Sequence, residues 1–451
     1  MLVYKALIRS VIDYGSIAYD SAPQSQLARL DSIQCQALRI CTGAMRGTSL
    51  AVMQAHCDEM PLQLRRLKYQ TQYSVKVGCS VGHISEKIFE DHWTHHYGRF
   101  TDRNQPVAIK VSGFQQERYK LEVHAPKLGN LPPWLVVPPR TNDELTNEIS
   151  KHEQPEALLA ISNCLIDSYS DHARVYTDAS KTTDGKVGIG CFFEACQDNP
   201  ERKFACRVTD RITVYAGEMA AIRLAIQESA QLNGNMPVAV FSDSLSAIRS
   251  IESERSNSRP NMLRDILDTK HALQREVTLV WVPSHVGIQG NETADRLANE
   301  GTKKSAVDID IGIELAEAYS TVDDYCRSKW QEMWSLRTND QFSLIVPSVL
   351  TTRLQQQHFA SRRIEVTANR LRFGRCRLNA YLHVIGRHDT GLCAQCGVPE
   401  TVKHYVMECD NNVTREVKAF CQFRKQEHTL ASVLSNGEII RLICRVGDRT
   451  I

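Results

Sequence analysis

The 451-residue sequence lacks several features that would assign it to a broad class of protein. No apolar run approaches the roughly 20 residues that span a bilayer. No signal-peptide pattern is found, and neither is an internal repeat or a low-complexity tract. The net charge of +2 gives no overall basic signature of nucleic-acid binding, so any such contact must come from local patches.

Cysteine, in contrast, is frequent. The fifteen cysteines are an odd number and are scattered from Cys35 to Cys444, mostly singly among apolar neighbours. This pattern favours an intracellular, reducing setting over a disulfide framework, without specifying a compartment. The length allows two to four domains, and 42% hydrophobic and 24% charged residues are ordinary globular values.

Four acidic residues between residues 174 and 304 fall at the ends or in the first turns of predicted elements. Asp178 and Asp243 each close a β-prone run, VYT and VAVF. Glu218 is expected in the first turn of a helix that Thr213 caps. Asp295 is expected on a helix capped by Asn291. Such positions hold carboxylates on rigid supports.

Carboxylates that converge in this way repel one another, and a site that tolerates them usually holds divalent metal. Oxygen ligands favour Mg²⁺ or Mn²⁺ over zinc. Two such ions, roughly 3.5–4 Å apart, would activate a water on one side of a phosphodiester and stabilise the leaving 3′ oxygen on the other. The pattern therefore predicts phosphodiester hydrolysis.

The stretches YTDAS, AGEMAA, FSDSLSAI and PSHVGIQGNETAD resemble type-1 ribonuclease H, in the form carried by reverse transcriptases of LINE-type (non-LTR) retroelements. The resemblance implies Asp178, Glu218, Asp243 and Asp295 as metal ligands. It implies that His285, on a mobile loop, assists product release or proton transfer. It also implies an α/β fold, with a mixed five-stranded sheet flanked by helices, and cleavage of the RNA strand of RNA–DNA hybrids.

Each of these residues also has an ordinary structural interpretation. A single Asp after a strand is typical of a turn, and Glu218 alone would be a partner of a helix dipole. Asp295 could pair with Arg296 or Lys303. The shared order and contexts favour catalysis. Integrases and transposases of the same superfold place their Glu last, whereas Glu218 here precedes Asp243, which disfavours an integrase-like DNA nuclease.

The first 95 residues are predicted to be helical, with an apolar stripe that includes Leu7 and Val11 and further helices over residues 26–41 and 62–77. A small bundle with a basic face accounts for this pattern. LVYKALIRSVIDYGSIAY, LDSIQCQALRICTGA and MPLQLRRLKYQ also resemble the thumb of a LINE-type reverse transcriptase, which implies a clamp on primer and template. No Tyr-x-Asp-Asp motif occurs, so we expect no polymerase activity. We expect the chain to be the C-terminal part of a retroelement protein.

The region between residues 96 and 167 is predicted to be a linker with local structure. Its Pro-rich tract, residues 131–139, should be extended, and a helix is predicted over residues 142–162. A role as a partner-binding peptide is the alternative.

Downstream of the ribonuclease H-like stretch, residues 353–387 contain eight Arg and a single acidic residue, Glu365, interleaved with Phe373 and Tyr381. Arg with aromatics suits phosphate contacts and base stacking on single strands. The alternative is a basic helical face without a ligand.

A second motif follows in CAQCGVPETVKHYVMEC, where Cys393, Cys396, His404 and Cys409 have the residue types of a closed tetrahedral zinc site. Two buried cysteines and an unrelated histidine are the alternative. The motif also resembles the Cys-Cys-His-Cys element that follows ribonuclease H in these retroelement proteins. That resemblance implies structural Zn²⁺ and contact with single-stranded RNA.

The hypothesis from the sequence is a metal-dependent endoribonuclease that leaves 5′-phosphate ends, with no membrane partner. The rival is an inactive nucleic-acid-binding retroelement remnant. The expected segments are a thumb-like helical region (1–95), a linker (96–167), a ribonuclease H domain (168–305), a helical Arg-rich connection (306–385), a CCHC zinc element (386–415) and a C-terminal tail (416–451).

Overall fold

A computed structural model describes residues 1–80, 82–89, 105, 107–116, 123–125, 132–148, 155–337, 341–351, 359 and 361–447. The chain divides into two compact units. The first unit is formed by Met1–Ser74, Ser85–Arg118 and Val322–Ile451, and the second by Val75–Ile84 and Tyr119–Thr321. Much of the predicted linker, and residues 352–358 and 360 of the Arg-rich segment, lie outside the described residues.

The strands are β1 (Arg140–Asn142), β2 (Ala173–Lys181), β3 (Val187–Phe193), β4 (Arg202–Val208), β5 (Val238–Ser242) and β6 (Val277–Trp281). The α-helices are α1 (Ser10–Asp13), α2 (Ser16–Tyr19), α3 (Gln24–Thr42), α4 (Leu50–Cys57), α5 (Leu62–Gly78), α6 (Glu86–Phe89), α7 (Val107–Gln116), α8 (Leu145–Glu148), α9 (Pro155–Asp167), α10 (Val214–Glu228), α11 (Leu245–Glu252), α12 (Pro260–Leu273), α13 (Gln289–Thr302), α14 (Leu315–Ser335), α15 (Gln341–Ile345), α16 (Arg362–Arg372), α17 (Asn379–Val384), α18 (Asn412–Phe423), α19 (Leu430–Ser435) and α20 (Gly437–Val446). Tyr4–Arg9 and His404–Glu408 are π-helical, and Pro133–Leu135 and Ser229–Gln231 form 3₁₀ turns.

The second unit is built on a mixed sheet with the strand order β1-β6-β5-β2-β3-β4. Strands β1, β6, β5 and β2 are parallel to one another. Strand β3 pairs antiparallel with β2 on one side and with β4 on the other. The mixed, helix-flanked sheet is confirmed. It has six strands rather than five, because Arg140–Asn142 adds a short parallel strand beside β6.

The two faces of this sheet bury separate apolar cores. Alternation along β2 sends Val175 to a core formed with α10 and α12, and Tyr176 to a core that includes residues of α9 and α13. Every residue of β5 is buried, as its apolar run predicts for a central parallel strand. The sheet is thus covered on both sides, and helices from both faces can reach the ends of its strands.

Helix α13 lies unusually close to β3. A Cβ atom at Gly190 would stand 2.0 Å from the carbonyl oxygen of Ala294, and one at Gly188 would stand 2.2 Å from that of Ala298. On the helix, a Cβ atom at Gly290 would meet the ring of Tyr176 at 2.3 Å. The glycines of the run VGIG therefore set the depth of α13 on the sheet.

The helix expected over residues 142–162 is not continuous. Asn142 belongs to β1, and two helices follow, α8 and α9, with residues 149–154 outside the described part. Proline at position 155 suits the first position of α9, where its missing N–H costs no hydrogen bond. Part of the Pro-rich tract, Pro133–Leu135, forms a 3₁₀ turn where an extended segment was predicted.

The first unit is helical in its described residues. Asn369 of α16 donates its side-chain N–H to the carbonyl of Thr42 at 3.0 Å, and Arg370 donates to that of Gly43 at 3.0 Å. A Cβ atom at Gly43 would stand 2.4 Å from the side chain of Val366. The N-terminal helices and α16 are therefore parts of one packed unit.

The apolar stripe predicted for the first helix is only partly buried. Tyr4 and Ile12 are buried, but Leu7 is 67% and Val11 is 72% exposed. No helix among the described residues has both the length and the apolar character required to cross a bilayer. All fifteen cysteines are free thiols.

Candidate metal centre

Asp178 lies within strand β2, opposite Gly190 of β3, rather than at the strand's end as predicted. The strand continues to Lys181 because β2 and β3 form a hairpin whose pairing extends to its last residues. Asp178 is buried. One of its carboxylate oxygens accepts the backbone N–H of Ala179 at 2.7 Å, which fixes the side chain against its own strand.

Glu218 reaches the same backbone group from helix α10. The hydroxyl of Thr213 accepts the N–H of Ala216 at 3.1 Å, which confirms the predicted cap. The helix begins at Val214, so Glu218 lies in its second turn and not in the first. Its Oε1 accepts the N–H of Ala179 at 3.1 Å. Its Oε2 is buried and has no hydrogen-bond partner among the described residues.

Asp243 directly follows β5, as predicted. The indole N–H of Trp281, the last residue of β6, donates to the backbone carbonyl of Asp243 at 3.0 Å. A hydrogen bond from the side chain of Asn291 favours the ionised carboxylate. Contacts from two other elements therefore hold this residue at the end of the sheet.

The loop after β6 carries His285 in a left-handed conformation, with φ of +55°. Helix α13 begins at Gln289, two residues before the predicted cap, so Asn291 lies inside the helix and is buried beside Asp243. Pairing with Arg296 or Lys303 was the alternative interpretation of Asp295. Asp295 Oδ1 instead accepts the side-chain N–H of Asn299 at 2.9 Å.

A hydrogen-bonded chain connects Asp295 with strand β2. The hydroxyl of Ser180 donates to the side-chain oxygen of Asn299 at 2.8 Å, and Asn299 in turn donates to Asp295. Ser180 belongs to the same YTDAS stretch as Asp178. Asp295 on α13 is thus connected by hydrogen bonds to β2, the strand that carries Asp178.

Three of the four predicted carboxylates converge. Asp178, Glu218 and Asp243 each offer an oxygen, and these oxygens lie within 4.8 Å of one another. Asp295 is not a member of this trio, but its charge acts on both Asp178 and Asp243. His285 also lies near enough for its charge to act on Asp243.

The trio is electrostatically strained without a counter-charge. Burial, and then the charge of Asp243, raise the pKa of Asp178 from 3.8 to about 7. Burial, and then the charges of Asp178 and Asp243, raise the pKa of Glu218 well above its ordinary value. Burial raises the pKa of Asp243 as well. A cation among these oxygens would favour the ionised forms.

The donor set fits a hard divalent cation. All three donors are carboxylate oxygens, the ligands that Mg²⁺ and Mn²⁺ prefer. The buried Oε2 of Glu218, for which no described residue is a hydrogen-bond partner, is a position where a metal ion would supply the missing interaction.

A second cluster lies in the first unit. One ligand atom each of Cys393, Cys396, His404 and Cys409 falls within 4.8 Å of the others. The Sγ atoms of Cys393 and Cys396 lie 3.8 and 3.6 Å from that of Cys409. The Nε2 atom of His404 is buried without a hydrogen-bond partner among the described residues. The four predicted residues therefore do come together.

The thiols of this cluster have perturbed acidities. Burial tends to raise the pKa of Cys393, but interactions with His404 and with the backbone N–H groups of Cys396 and Gln395 outweigh it and lower the pKa to about 7. Burial, and then the two other thiols, raise the pKa of Cys409 to about 12. Thiols that lie this close together are typical of a metal-binding site, where a bound metal ion would hold them as thiolates.

Several residues in the described part of the Arg-rich segment make contacts within the first unit that stabilise its fold. Arg372 is buried and donates to the carbonyl of Leu434 at 2.8 Å. Arg362 donates to that of Ile40 at 2.9 Å. Phe373, expected to be available for base stacking, is buried in an aromatic cluster with His56. Arg375 contacts an aromatic ring instead of a backbone carbonyl: its guanidinium lies 5.4 Å from the ring centroid of Tyr381.

The mixed sheet and the carboxylate trio define an α/β domain with a cluster of acidic side chains whose oxygens could hold a metal ion. Residues 170–303 match the sequence model of the RNase H family, so the chain contains an RNase H domain. The match lies within the predicted segment 168–305.

Solved structures similar to this chain include RNase H1 enzymes. RNase H1 from the halophilic archaeon Halobacterium salinarum NRC-1 is 19% identical, with a TM-score of 0.25, and the match covers 29% of this chain and 96% of that one. LC11-RNase H1, isolated from compost by a metagenomic approach, is 18% identical over 29% and 96%, with a TM-score of 0.26. A complex of LC11-RNase H1 with an RNA/DNA hybrid is 22% identical over 29% and 95%, with a TM-score of 0.24.

Three contributors to the site were not anticipated from the sequence. The N–H of Ala179 bridges Asp178 and Glu218, Asn291 supports Asp243, and Asn299 connects Asp295 with Ser180. Asp295 and Asn299 are four residues apart and so lie on one helix face, and this spacing could have predicted their contact from the sequence.

Proposed function

We propose that this chain is a metal-dependent endoribonuclease that hydrolyses the RNA strand of RNA–DNA hybrids and leaves 5′-phosphate and 3′-hydroxyl ends. The observation that carries the proposal is the convergence of three carboxylates inside a domain that matches the RNase H family: those of Asp178 and Glu218, which are buried, and that of Asp243, which is half-buried. Such a trio disfavours its own ionisation, and a bound cation would favour the ionised forms.

Asp178, Glu218 and Asp243, with Asp295 at the edge of the site, would hold two Mg²⁺ ions, for which Mn²⁺ would substitute. The bound ions supply the activation of water and the stabilisation of the leaving oxygen. Asp178, on a central strand of the sheet, would contribute to holding both ions. His285 acts from the loop outside the trio and assists proton transfer or product release.

The cysteine and histidine cluster is proposed as a structural Zn²⁺ site. Three thiolates and an imidazole are the donors of closed tetrahedral zinc centres, and their convergence supports this assignment. The retroelement origin, the thumb-like role of residues 1–95 and contact with single-stranded RNA through the Arg-rich and zinc regions are proposals that rest on the sequence resemblance.

A cleavage assay tests the nuclease proposal. The chain is incubated with a labelled RNA–DNA hybrid and Mg²⁺, with single-stranded RNA and duplex DNA as control substrates. We expect cleavage of the RNA strand in the hybrid alone. Asp178→Asn should abolish it while hybrid binding survives, and Asp198→Asn, on an exposed loop of the same unit, should not.

Three results would contradict the proposal. Equal cleavage by wild type and Asp178→Asn would remove the carboxylate trio from the mechanism. Hybrid binding without any cleavage by the wild type would favour the inactive nucleic-acid-binding remnant. Strand transfer between DNA duplexes would favour an integrase-like enzyme.

A further inference from the structure

A solvent-open groove of about 660 Å³ lies in the first unit, and its lining includes none of the residues of the carboxylate trio or of the cysteine and histidine cluster. Its polar wall includes Thr48, Ser49, Arg337, Arg375 and Tyr381. The volume lies within the 300–1,000 Å³ range of small-molecule sites. No role assigned above to the RNase H domain or to the cysteine cluster uses this groove.

One wall of the groove is the turn that starts helix α4. Ser49 caps this eight-residue helix, its hydroxyl accepting the N–H of Val52 at 3.4 Å. The guanidinium of Arg337 donates to the same hydroxyl at 3.1 Å. The first N–H groups of a helix have no intrahelical acceptor and carry a partial positive charge, so this end of α4 attracts anions.

The hydroxyl of Thr48 is an independent sign of a ligand. Thr48 is 5% exposed and lines the groove. Its Oγ1 is buried and has no hydrogen-bond partner among the described residues. Buried hydroxyls are normally hydrogen-bonded, and an oxyanion seated at the start of α4 would supply the missing acceptor.

The lining of the groove also provides a second arginine, Arg375. The guanidinium of Arg375 lies over the ring of Tyr381, which limits its freedom and prepares it for a phosphate. A Cβ atom at Gly47 would stand 3.2 Å from the hydroxyl of Tyr381, so the Thr48 turn and the ring of Tyr381 are close. Glu400 also lines the groove, but its carboxylate accepts the N–H of Asn379 at 2.8 Å.

The rest of the groove is suited to a nucleoside. Leu336 and Val384 line it with side chains that are 84% and 70% exposed. A polar wall beside an apolar surface matches a ligand that carries a phosphate next to a flat, partly apolar group. Free inorganic phosphate would use only the polar wall.

We propose that this groove binds one phosphate-bearing nucleotide unit of a single-stranded nucleic acid. The phosphate lies against the hydroxyl of Thr48 and the start of α4, with Arg337 and Arg375 beside it, and the nucleoside lies on the apolar side. The inference deepens the proposed contact with single strands and does not depend on hydrolysis by the RNase H domain.

The test measures binding of labelled single-stranded RNA to the full chain by fluorescence anisotropy over a range of salt concentrations. Thr48→Val removes the hydroxyl at constant shape and should weaken binding about tenfold, since hydrogen bonds to charged groups contribute about 1.5–3 kcal/mol. Thr48→Ser keeps the hydroxyl and should bind like the wild type. Thr71→Val is the matched control, because the buried hydroxyl of Thr71 donates to the carbonyl of Leu67 in its own helix.

A second variant gives a readout that a purely structural role would not produce. Arg375→Met should reduce the slope of log K against log salt by about 0.7, the value for one phosphate contact on a single strand. Arg424→Met, at an exposed arginine outside the groove, should leave the slope unchanged. Strands with a 5′-phosphate, strands with a 5′-hydroxyl, and adenosine monophosphate as competitor distinguish a terminal phosphate from an internal one.

Loss of affinity in Thr48→Val with retention in Thr48→Ser supports the site, whichever strand end is preferred. Wild-type affinity in both Thr48→Val and Arg375→Met would overturn it, as would an equal loss in Thr71→Val. Failure of the cleavage assay leaves these outcomes unaffected, because the strand-binding measurement needs no Mg²⁺ and no hydrolysis.

Discussion

Asp178→Asn should stabilise the metal-free protein at neutral pH, although we expect the same change to abolish the proposed cleavage. The native carboxyl keeps its proton up to a pKa of about 7, whereas the ordinary value is 3.8. Unfolding therefore releases a proton between these two pH values. A group with a raised native pKa favours the folded state below its unfolded pKa and loses that contribution as the pH rises through its native pKa.

The magnitude follows from the size of the shift. About three pKa units, at 1.36 kcal/mol each, correspond to about 4 kcal/mol of native-state penalty above pH 7. Roughly 2 kcal/mol of this penalty develops between pH 5.5 and pH 8, since about 1.5 units of the shift lie in that interval. Asparagine has the same shape and no charge, so the variant escapes the penalty. Glu218 is also relieved, because the charge of Asp178 contributes to its raised pKa.

The assay is denaturant unfolding of wild type and variant at pH 5.5 and pH 8, with divalent cations omitted. We expect the variant to be more stable at pH 8, and its advantage to shrink by about 2 kcal/mol at pH 5.5. Added Mg²⁺ should stabilise the wild type and reduce the difference, because a ligand of the native state raises its stability by mass action.

Asp308→Asn is the matched control of opposite sign. The backbone N–H of Arg207 lowers the pKa of exposed Asp308, so its contribution is present above the unfolded pKa and is lost only in acid. This variant should be less stable than wild type by the same amount at pH 5.5 and pH 8. If Asp178→Asn were less stable than wild type at pH 8, or if its advantage did not change with pH, the electrostatic account of the trio would be wrong.

Three further predictions concern the support of the two clusters. Gly190→Ala should lower the stability of the RNase H domain by about 3 kcal/mol and reduce cleavage, because the new Cβ atom meets a carbonyl of α13 at 2.0 Å; Gly78→Ala, in open space on a helix, is the control in the same thermal melts. Cys396→Ser should reduce the zinc content measured by metal analysis and lower the melting temperature, and wild-type stability after chelation of all metal would contradict a structural site. Asn299→Ala should raise the Mg²⁺ concentration for half-maximal cleavage severalfold, since it frees Asp295; an unchanged Mg²⁺ dependence would show that this contact has no role.

Local sequence patterns predicted the parts of the site that local physics determines. A short apolar run ending in a polar residue placed Asp243 correctly after β5, and Thr213 proved to cap the helix of Glu218. Asp178 was assigned to the wrong position in its strand, because the length of β2 is set by pairing with β3 and not by its own residues.

Long-range contacts account for the other differences. Strand β1 has three polar residues and exists because it pairs with β6, more than 130 residues away in the sequence. The helical period predicted that Leu7 and Val11 share a face, but periodicity does not show whether that face is covered, and both side chains are exposed. Asn291 has the residue type of a helix cap, yet its place beside Asp243 depends on how deeply α13 packs on the sheet.

The depth of α13 and the acidity of the trio have a common origin. The glycines of β3 allow α13 to approach the sheet, which buries Asn291 and brings the charge of Asp295 close enough to act on Asp178. Burial is the largest cause of the raised pKa values of all three carboxylates. A looser α13 would relieve the repulsion and would also weaken the affinity for cations, because a hydrated carboxylate gains less from a metal ion. The burial that raises the pKa values of the trio would therefore also favour the proposed binding of a metal ion.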